Sequence, residues 1–434
     1  MGQTLQIRLF DTPLLEFETA DEGANGNGTL GIRGVVVLGD PTLLPHGLEP
    51  TPEGVRAWLS RRVLPPNRRY ADKLCVAMGI RPGDVERIVN VGLGLGLNDS
   101  YWVVPAGFDG RFRDFSLFEN GFSEALAAVA YTGVVDTSAI PQRGLTPELT
   151  TNGMLRKAWR ISGGDGRRLL YKGSSDGCRP GEWLSECLAS QVADAMGIRH
   201  ASYWPDVWPG SERNLHGDSL AGMCSVCACF CTADVSYVPF ATLTGKASMA
   251  SCVRQGLALG DEAFEDLCDM VVFDALVCNT DRHFTNFGYL VEAASNRVLG
   301  AAPVFDNGRA LFPNYGDDEV ADAALLANFC RPAFGPPSFE ELAGRVMGAR
   351  QRDALLRVAQ GFELADPVRD GGESDAGPLD RGLGGDLDLD PNLNFRRRCE
   401  TLSAFLRQRA TLLADLPLVN RDELKEIALR ADRA

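Results

Sequence analysis

No apolar stretch in this 434-residue chain comes near the roughly 20 residues that a membrane-spanning helix needs. The N-terminus, "MGQTLQIRLFDTPLLEFE", has no basic segment leading into an apolar one. No secretory leader and no membrane partner are expected, and the cytoplasm is the expected location. Basic residues are in deficit: 43 Lys and Arg face 58 Asp and Glu, a formal net charge of −15. Direct nucleic-acid binding is therefore not expected, because phosphate backbones are held by clustered Lys and Arg. The twelve Cys residues show no paired framework, which fits reduced thiols. With 45% hydrophobic and 23% charged residues, the composition is that of a globular chain long enough for two or three domains.

Three local patterns invite a ligand and fall short of one. "CSVCACFC" carries Cys224, Cys227, Cys229 and Cys231, with His216 nearby. Structural zinc usually takes two separated pairs, so that loops wrap a tetrahedron. Cys227, Cys229 and Cys231 alternate at period two, which predicts one face of a buried strand. "VGLGLGLNDSYWV" lacks the third Gly and the clear following helix of a phosphate loop, and reads as a turn or packed strand. "DLDLDPN" lacks the turn Gly and closing Glu of a calcium loop. It ends an acidic, Gly-rich stretch expected to be a flexible loop, about 366–392.

Up to residue 145 the chain mixes strand-like runs ("GIRGVVVLG") with helical ones ("EGVRAWLSRRVL", "FSEALAAVAYTG"). Beyond it, "MLRKAWRI", "SGGDG" and "RRLLYKGS" predict strand, turn and strand. "GEWLSECLASQVADAMGI" predicts a helix ending at Gly197, and "DEAFEDLCDMVVFDALVCN" a second one with acids in its first turn. "SYWPDVW" and "SLAGMCSVCACF" read as strands, and a hairpin follows the second helix, closed by "ASN". Past about 336 the pattern is mainly helical and amphipathic.

The stretch "CNTDRHFTNFGYL" leaves the second helix and crowds Asp281, Arg282, His283 and Asn286 together. Asp306 follows in "APVFDNG". Upstream stand Asn152 and Gly153 in "TTNGMLRKAWRI", Lys172 in "LLYKGS", and Glu186 on the first helix. Phosphoryl transfer from ATP needs this set of parts. A Gly turn lets backbone approach phosphates, a strand Lys reaches their oxygens, and a helical Glu holds the Lys. An Asp on a loop takes a hydroxyl proton, and an Asn and a second Asp offer hard oxygens to magnesium. Each piece also has a plain reading: a solvated Lys, a helix-face acid at Glu182 or Glu186, an Asx turn after a helix, or a bare turn at "FDNG".

"NTDRHFTNFG…APVFDNG" resembles the catalytic and metal-binding segments of the HipA-like serine/threonine kinases, known as toxins of bacterial toxin–antitoxin pairs. The specific resemblance covers about residues 146–312. "LGLGLNDSYWV" and "DFSLFENGFSEAL" also resemble N-terminal segments of relatives in Gram-positive bacteria. The resemblance implies an α+β fold in two lobes, similar to phosphatidylinositol kinases. Residues 1–145 would form an added N-terminal region, 146–235 a strand-rich N-lobe and 236–434 a mainly helical C-lobe. It implies ATP and Mg2+ as cofactors and Asp281 as the catalytic Asp, with His283 beside it as a loop organiser. Asn286 and Asp306 would hold the metal, Lys172 the ATP phosphates, Glu186 would hold Lys172, and amides near Asn152 and Gly153 would cover the phosphates. "CSVCACF" would lead into the adenine hinge.

The turn departs from the family's Ser-Gly-x-Gln-x-Lys pattern, whose Ser can be self-phosphorylated; Thr150 and Thr151 are the hydroxyls near that place. The chain shows no helix-turn-helix, so a DNA-binding antitoxin would be a separate protein. The expected function is transfer of the ATP γ-phosphate to a Ser or Thr of a protein, as a toxin or regulatory kinase. The rival expectations are a small-molecule or lipid kinase of the same fold and an ATP-binding pseudokinase serving as an interaction module.

Overall fold

The structure is a computed structural model that describes residues 2–20, 30–136, 145–178, 180–209, 222–243, 248–370 and 395–422, and residue 424. The chain opens with strands β1 (Thr4–Leu9), β2 (Thr12–Ala20) and β3 (Gly31–Val37). Helices α1 (Pro52–Arg61), α2 (Ala71–Ala77) and α3 (Val85–Gly92) follow, then β4 (Tyr101–Pro105) and α4 (Glu124–Thr132). The four strands form one antiparallel sheet in the order β3-β2-β1-β4. Leu5, Ile7 and Leu9 alternate inward along β1, the period-two pattern of a strand with one buried face. Thr51 caps α1 by accepting from the Gly54 N–H, and Pro52 opens it, where a missing N–H costs nothing.

A second sheet holds β5 (Lys157–Ile161), β6 (Arg168–Lys172), β7 (Trp204–Val207) and β8 (Met223–Ala228), ordered β5-β6-β8-β7, with α5 (Glu182–Met196) between β6 and β7. The predicted hairpin is present: β5 and β6 pair with Lys157 opposite Lys172 and Ala158 opposite Tyr171. The two faces therefore differ. Ala158 and Tyr171 enter a core with Leu126, Tyr131, Trp208 and Val226, so residues before 145 and the second sheet share apolar packing. The lysines leave on the other face. Helix α5 stops at Gly197, whose φ of 68° suits the left-handed helix end that the sequence signalled.

One expectation fails here. The sequence places Cys227, Cys229 and Cys231 on one strand face, but β8 ends at Ala228. Its neighbour β6 begins at Arg168, whose carbonyl accepts the Cys229 N–H as the last rung, so no ladder remains to hold the next residues extended. Cys224 and Cys227 take opposite faces of β8, Cys224 in the core with Tyr131 and Cys227 in the core under α5. The expected calcium-like segment and most of the acidic loop lie outside the described residues, as does His216.

The remainder comprises β9 (Val235–Pro239), α6 (Phe240–Leu243), α7 (Met249–Leu259), α8 (Asp261–Val277), β10 (Gly288–Glu292) and β11 (Arg297–Ala301). Helices α9 (Asp317–Val320), α10 (Ala323–Phe329), α11 (Phe339–Val346), α12 (Ala349–Ala359) and α13 (Arg396–Ala414) complete it. Strands β11-β10-β9 make a third antiparallel sheet. The largest core joins α5, α8, α11, α12 and α13, and Phe273, Leu276, Leu355 and Leu406 are fully buried in it. Among the described residues no helix is long and apolar enough to cross a membrane.

Candidate active site

Helix α8 turns off at Cys278, a non-glycine residue with φ 54°. Asn279 then accepts the Asp281 N–H on its side chain at 3.1 Å, an Asx turn, and donates from Nδ2 to Asp274 at 3.1 Å. The turn reading and the site reading of this loop are thus compatible. Asn286 Nδ2 donates to the Asp281 carbonyl at 2.9 Å, which ties the two ends of the loop together.

The anchor beneath is Arg282, buried to 1% exposure. Its Nε and Nη2 donate to both Asp274 oxygens at 3.0 and 3.1 Å, and Nη1 donates to the Asn286 carbonyl at 3.0 Å. It also donates to the Phe305 carbonyl and to the Asn307 side chain. One guanidinium therefore joins α8, the loop and the segment carrying Asp306. The sequence reading gave Arg282 no role. Its signal was Asp274, an acid inside the apolar run Met270–Val277, which has to find a cation once buried.

Lys172, at the end of β6, meets two carboxylates. Its Nζ pairs with Glu186 Oε1 and lies 2.6 Å from Asp306 Oδ1. Lys172 and Glu186 are buried, while Asp306 keeps 32% of its side chain exposed. Glu186 spends its other oxygen on the Asn307 N–H at 2.7 Å, and the Tyr203 hydroxyl accepts the Asp306 N–H at 3.3 Å. Glu182, one helical turn earlier, goes elsewhere: it accepts from the Ser175 N–H and hydroxyl at 3.0 and 2.6 Å.

Burial opposes charge on all three groups of this cluster, and the pairing outweighs it at Asp306 and Lys172 but not at Glu186. Burial pushes the Asp306 carboxyl up, but the Lys172 and Lys157 ammoniums outweigh it and hold Asp306 well below the usual carboxylate range. Burial pushes Lys172 down, but Asp306 and Glu186 raise it well above an ordinary lysine. Burial raises Glu186, with Lys172 working against it. Asp306 also sits at φ 58°, a conformation a non-glycine residue keeps only where its surroundings impose it.

Asp281 has a different setting. Half of its side chain is exposed, as is half of His283, whose Nε2 stands 3.9 Å away. Burial of the rest raises the Asp281 carboxyl, with His283 opposing. His283 Nδ1 shares a 2.8 Å hydrogen bond with the Thr285 hydroxyl, a loop contact.

The turn before β5 is pinned from the N-terminal region. Arg68, buried, donates to the Glu148 carboxylate at 2.9 Å, to the Glu148 and Thr151 carbonyls at 3.0 and 3.1 Å, and to the Lys157 carbonyl. The Arg69 N–H donates to the Met154 carbonyl at 2.9 Å. Asn152 is exposed, and Gly153 has φ 96°. The Thr150 hydroxyl donates to the Leu95 carbonyl at 2.8 Å and the Thr151 hydroxyl to the Pro147 carbonyl at 2.7 Å. The "GLGLG" run packs under this turn: a Cβ on Gly92 would stand 3.1 Å from Leu149, and one on Gly96 3.1 Å from Thr150.

Lys172, Glu186 and Asp306 are thus in contact, and Arg282 joins them to the loop of Asp281, His283 and Asn286. Asn152 and Gly153 stand on the turn leading into β5. Among the described residues no three His, Cys, Asp or Glu side chains gather to hold a metal by themselves. Asp306 and Asn286 offer the hard oxygens that suit Mg2+, an ion that takes few protein ligands and fills its shell with phosphate and water. The donor set therefore fits that ion. A cleft of about 370 Å3 lined by Ala327, Arg331, Pro336 and Glu341 lies elsewhere, and none of these site residues lines it.

No family model and no curated protein matches the chain. Solved structures do. The proinflammatory kinase CtkA of Helicobacter pylori is 18% identical and has a TM-score of 0.39, covering 64% of this chain and 95% of its own. HipA of Shewanella oneidensis MR-1, solved with HipB and operator DNA of its toxin–antitoxin system, is 14% identical with a TM-score of 0.47, covering 97% of this chain and 99% of its own. The second bears the name of the family that the sequence resembles. Likeness of this size carries no argument about the roles of residues, which rest on the geometry above.

Proposed function

We propose that the chain is a HipA-like kinase that transfers the γ-phosphate of ATP to a Ser or Thr hydroxyl of a protein, with a strand-rich lobe over 146–235 and a mainly helical one over 236–434. The observation that carries this reading is the Lys172–Glu186–Asp306 cluster, joined through Asn307 and Arg282 to the loop of Asp281. A Lys held by a helical Glu, a metal-binding Asp and a loop Asp are the parts that phosphoryl transfer uses.

Lys172 contacts the phosphates and Glu186 keeps it in place. Asn286 and Asp306 would hold Mg2+, which when bound would supply positive charge against that developing on the phosphoryl oxygens. Asp281 orients the acceptor hydroxyl and takes its proton as the oxygen bonds the γ-phosphorus and the bond to the ADP oxygen breaks. Asp281 suits this task because its carboxylate faces solvent, where an acceptor can reach it. Amides around Asn152 and Gly153 cover the phosphates. The same reading includes a separate antitoxin-like partner and a cytoplasmic location.

The test is γ-labelled ATP with Mg2+, the purified chain and a cell lysate, followed by identification of labelled species. Phosphoserine or phosphothreonine on protein, lost in Asp281→Asn, supports the proposal. Label confined to small molecules, or no ATP binding, overturns it.

A further inference from the structure

Arg68 belongs to the N-terminal region and has no task in the mechanism above, yet it holds the turn that leads into β5. It is buried, and its carboxylate partner Glu148 is fully buried. Taking both charges out of water is expensive, and one carboxylate satisfies only part of a guanidinium. The remaining donors go to backbone. Nη1 donates to the Glu148 and Thr151 carbonyls and Nη2 to the Lys157 carbonyl, so residues on both sides of the turn are fixed to one planar group. Glu148 passes the restraint on, because its other oxygen accepts the Trp159 N–H at 2.7 Å.

The turn does not close on itself. Among the described residues, no backbone hydrogen bond joins two residues of 151–156. Its backbone links run outward, from the Arg69 N–H to the Met154 carbonyl at 2.9 Å and from the Gly173 N–H to the Arg156 carbonyl at 3.0 Å. Met154 is 64% exposed, so apolar packing does not anchor the tip. Residues 64–69 add two more holds. The Leu64 N–H donates to the Leu149 carbonyl at 2.7 Å, and the Arg69 side chain pairs with Asp176 in the loop between β6 and α5. This one segment therefore grips the backbone before β5 and the backbone after Lys172.

We propose that Arg68 is a positioning residue for phosphoryl transfer: it presets the turn, so that the amides at Asn152 and Gly153 meet the terminal phosphates of ATP without first having to be ordered. This rests on the kinase reading above, and it makes the N-terminal region part of the site instead of an appended module. A loop ordered in advance spares the ligand that ordering cost. The structural alternative is that Arg68 only fastens the N-terminal region to the second sheet.

Two variants separate these. Arg68→Met removes the guanidinium, and Arg68→Lys keeps a charge beside Glu148 but replaces the planar fork with a point charge. Calorimetry with ATP and with adenosine, Mg2+ present, reads the phosphate end of the site without any turnover. The expected result for Arg68→Met is ATP binding weaker by about ten- to hundredfold, the worth of a hydrogen bond to a charged group, with adenosine unchanged. Arg68→Lys should recover part of that loss. ATP binding equal to the parent's in Arg68→Met overturns the proposal. So does an equal loss for ATP and adenosine, which would mean a general loosening of the fold. If the Arg68 variants do not fold, Glu148→Gln is read in the same way, since it keeps an acceptor for the Trp159 N–H and removes the charge that holds Arg68. A loss confined to ATP supports the proposal, and unchanged ATP binding or an equal loss for both ligands overturns it. A parent that binds no ATP defeats the kinase reading itself, and this proposal with it.

Discussion

Asp306 and Asp281 are carboxylates of one candidate site in opposite settings. Asp306 touches a buried ammonium at 2.6 Å, and the two neighbouring lysines hold it ionised against burial. Asp281 has half its side chain in solvent, and burial of the rest raises its carboxyl against the opposing charges of His283, Arg309 and Arg282. The first carboxylate is already paired; the second is left open on a loop that Arg282 makes rigid from below. Fixed charge belongs where an ion is to be held, and a free, more basic carboxylate belongs where a proton has to move.

The strongest way to break this comparison is Asp306→Asn. Phosphoryl transfer should be abolished and nucleotide binding should lose most of its dependence on Mg2+, because the ion prefers charged oxygens. Titration of ATP with and without Mg2+ checks it, and a fully active variant would remove Asp306 from the site.

Asp281→Asn should cost about 10²–10⁴ in single-turnover rate, the usual loss for a positioned general base, with ATP affinity within a few-fold of the parent. A surface turn would behave otherwise, since Asn serves there as well as Asp. Unchanged turnover would sink the assignment of this loop.

Lys172→Ala and Glu186→Ala sharpen the paired side. Each should lower turnover, and the double variant should lose less than the sum by about 0.5–3 kcal/mol, the coupling of residues in contact. Additive losses in kcat/KM would mean that the buried pair does not act as a unit.

The smallest effect is on acid stability. Asp306 has a folded pKa depressed below its unfolded value, so its contribution is fully present above about pH 3.9 and is lost as pH falls toward the folded value. Melting temperature against pH should therefore show a shallower acid limb in Asp306→Asn than in the parent. Parallel curves would show that Asp306 is not held ionised.

Much of the scaffold was legible along the chain. The β5–β6 hairpin followed from two strand-like runs around "SGGDG", and α5 ended at the Gly that its pattern required. The Asx turn at Asn279 was readable from its neighbours. The Cys-rich strand was overextended, because period two alone cannot tell where a neighbouring strand stops offering partners. Arg282, Lys157 and Arg68 were missed for a shared reason. Each looks like an ordinary charged residue until the fold buries it, and burial is what gives it consequence.

By itself the sequence determined what depends on neighbours a few positions away: strand and helix periods, turn residues, and the short spacing of Asp281 and Asn286. Tertiary structure decided which charges meet. Glu182 and Glu186 lie one turn apart on α5, and nothing local distinguishes them, yet packing sends the first to Ser175 and the second to Lys172. Asp306 reaches Lys172 across 134 residues of chain. Coulomb attraction follows distance in space and strengthens as water is excluded, so pairs of this kind exist only once the chain has folded around them.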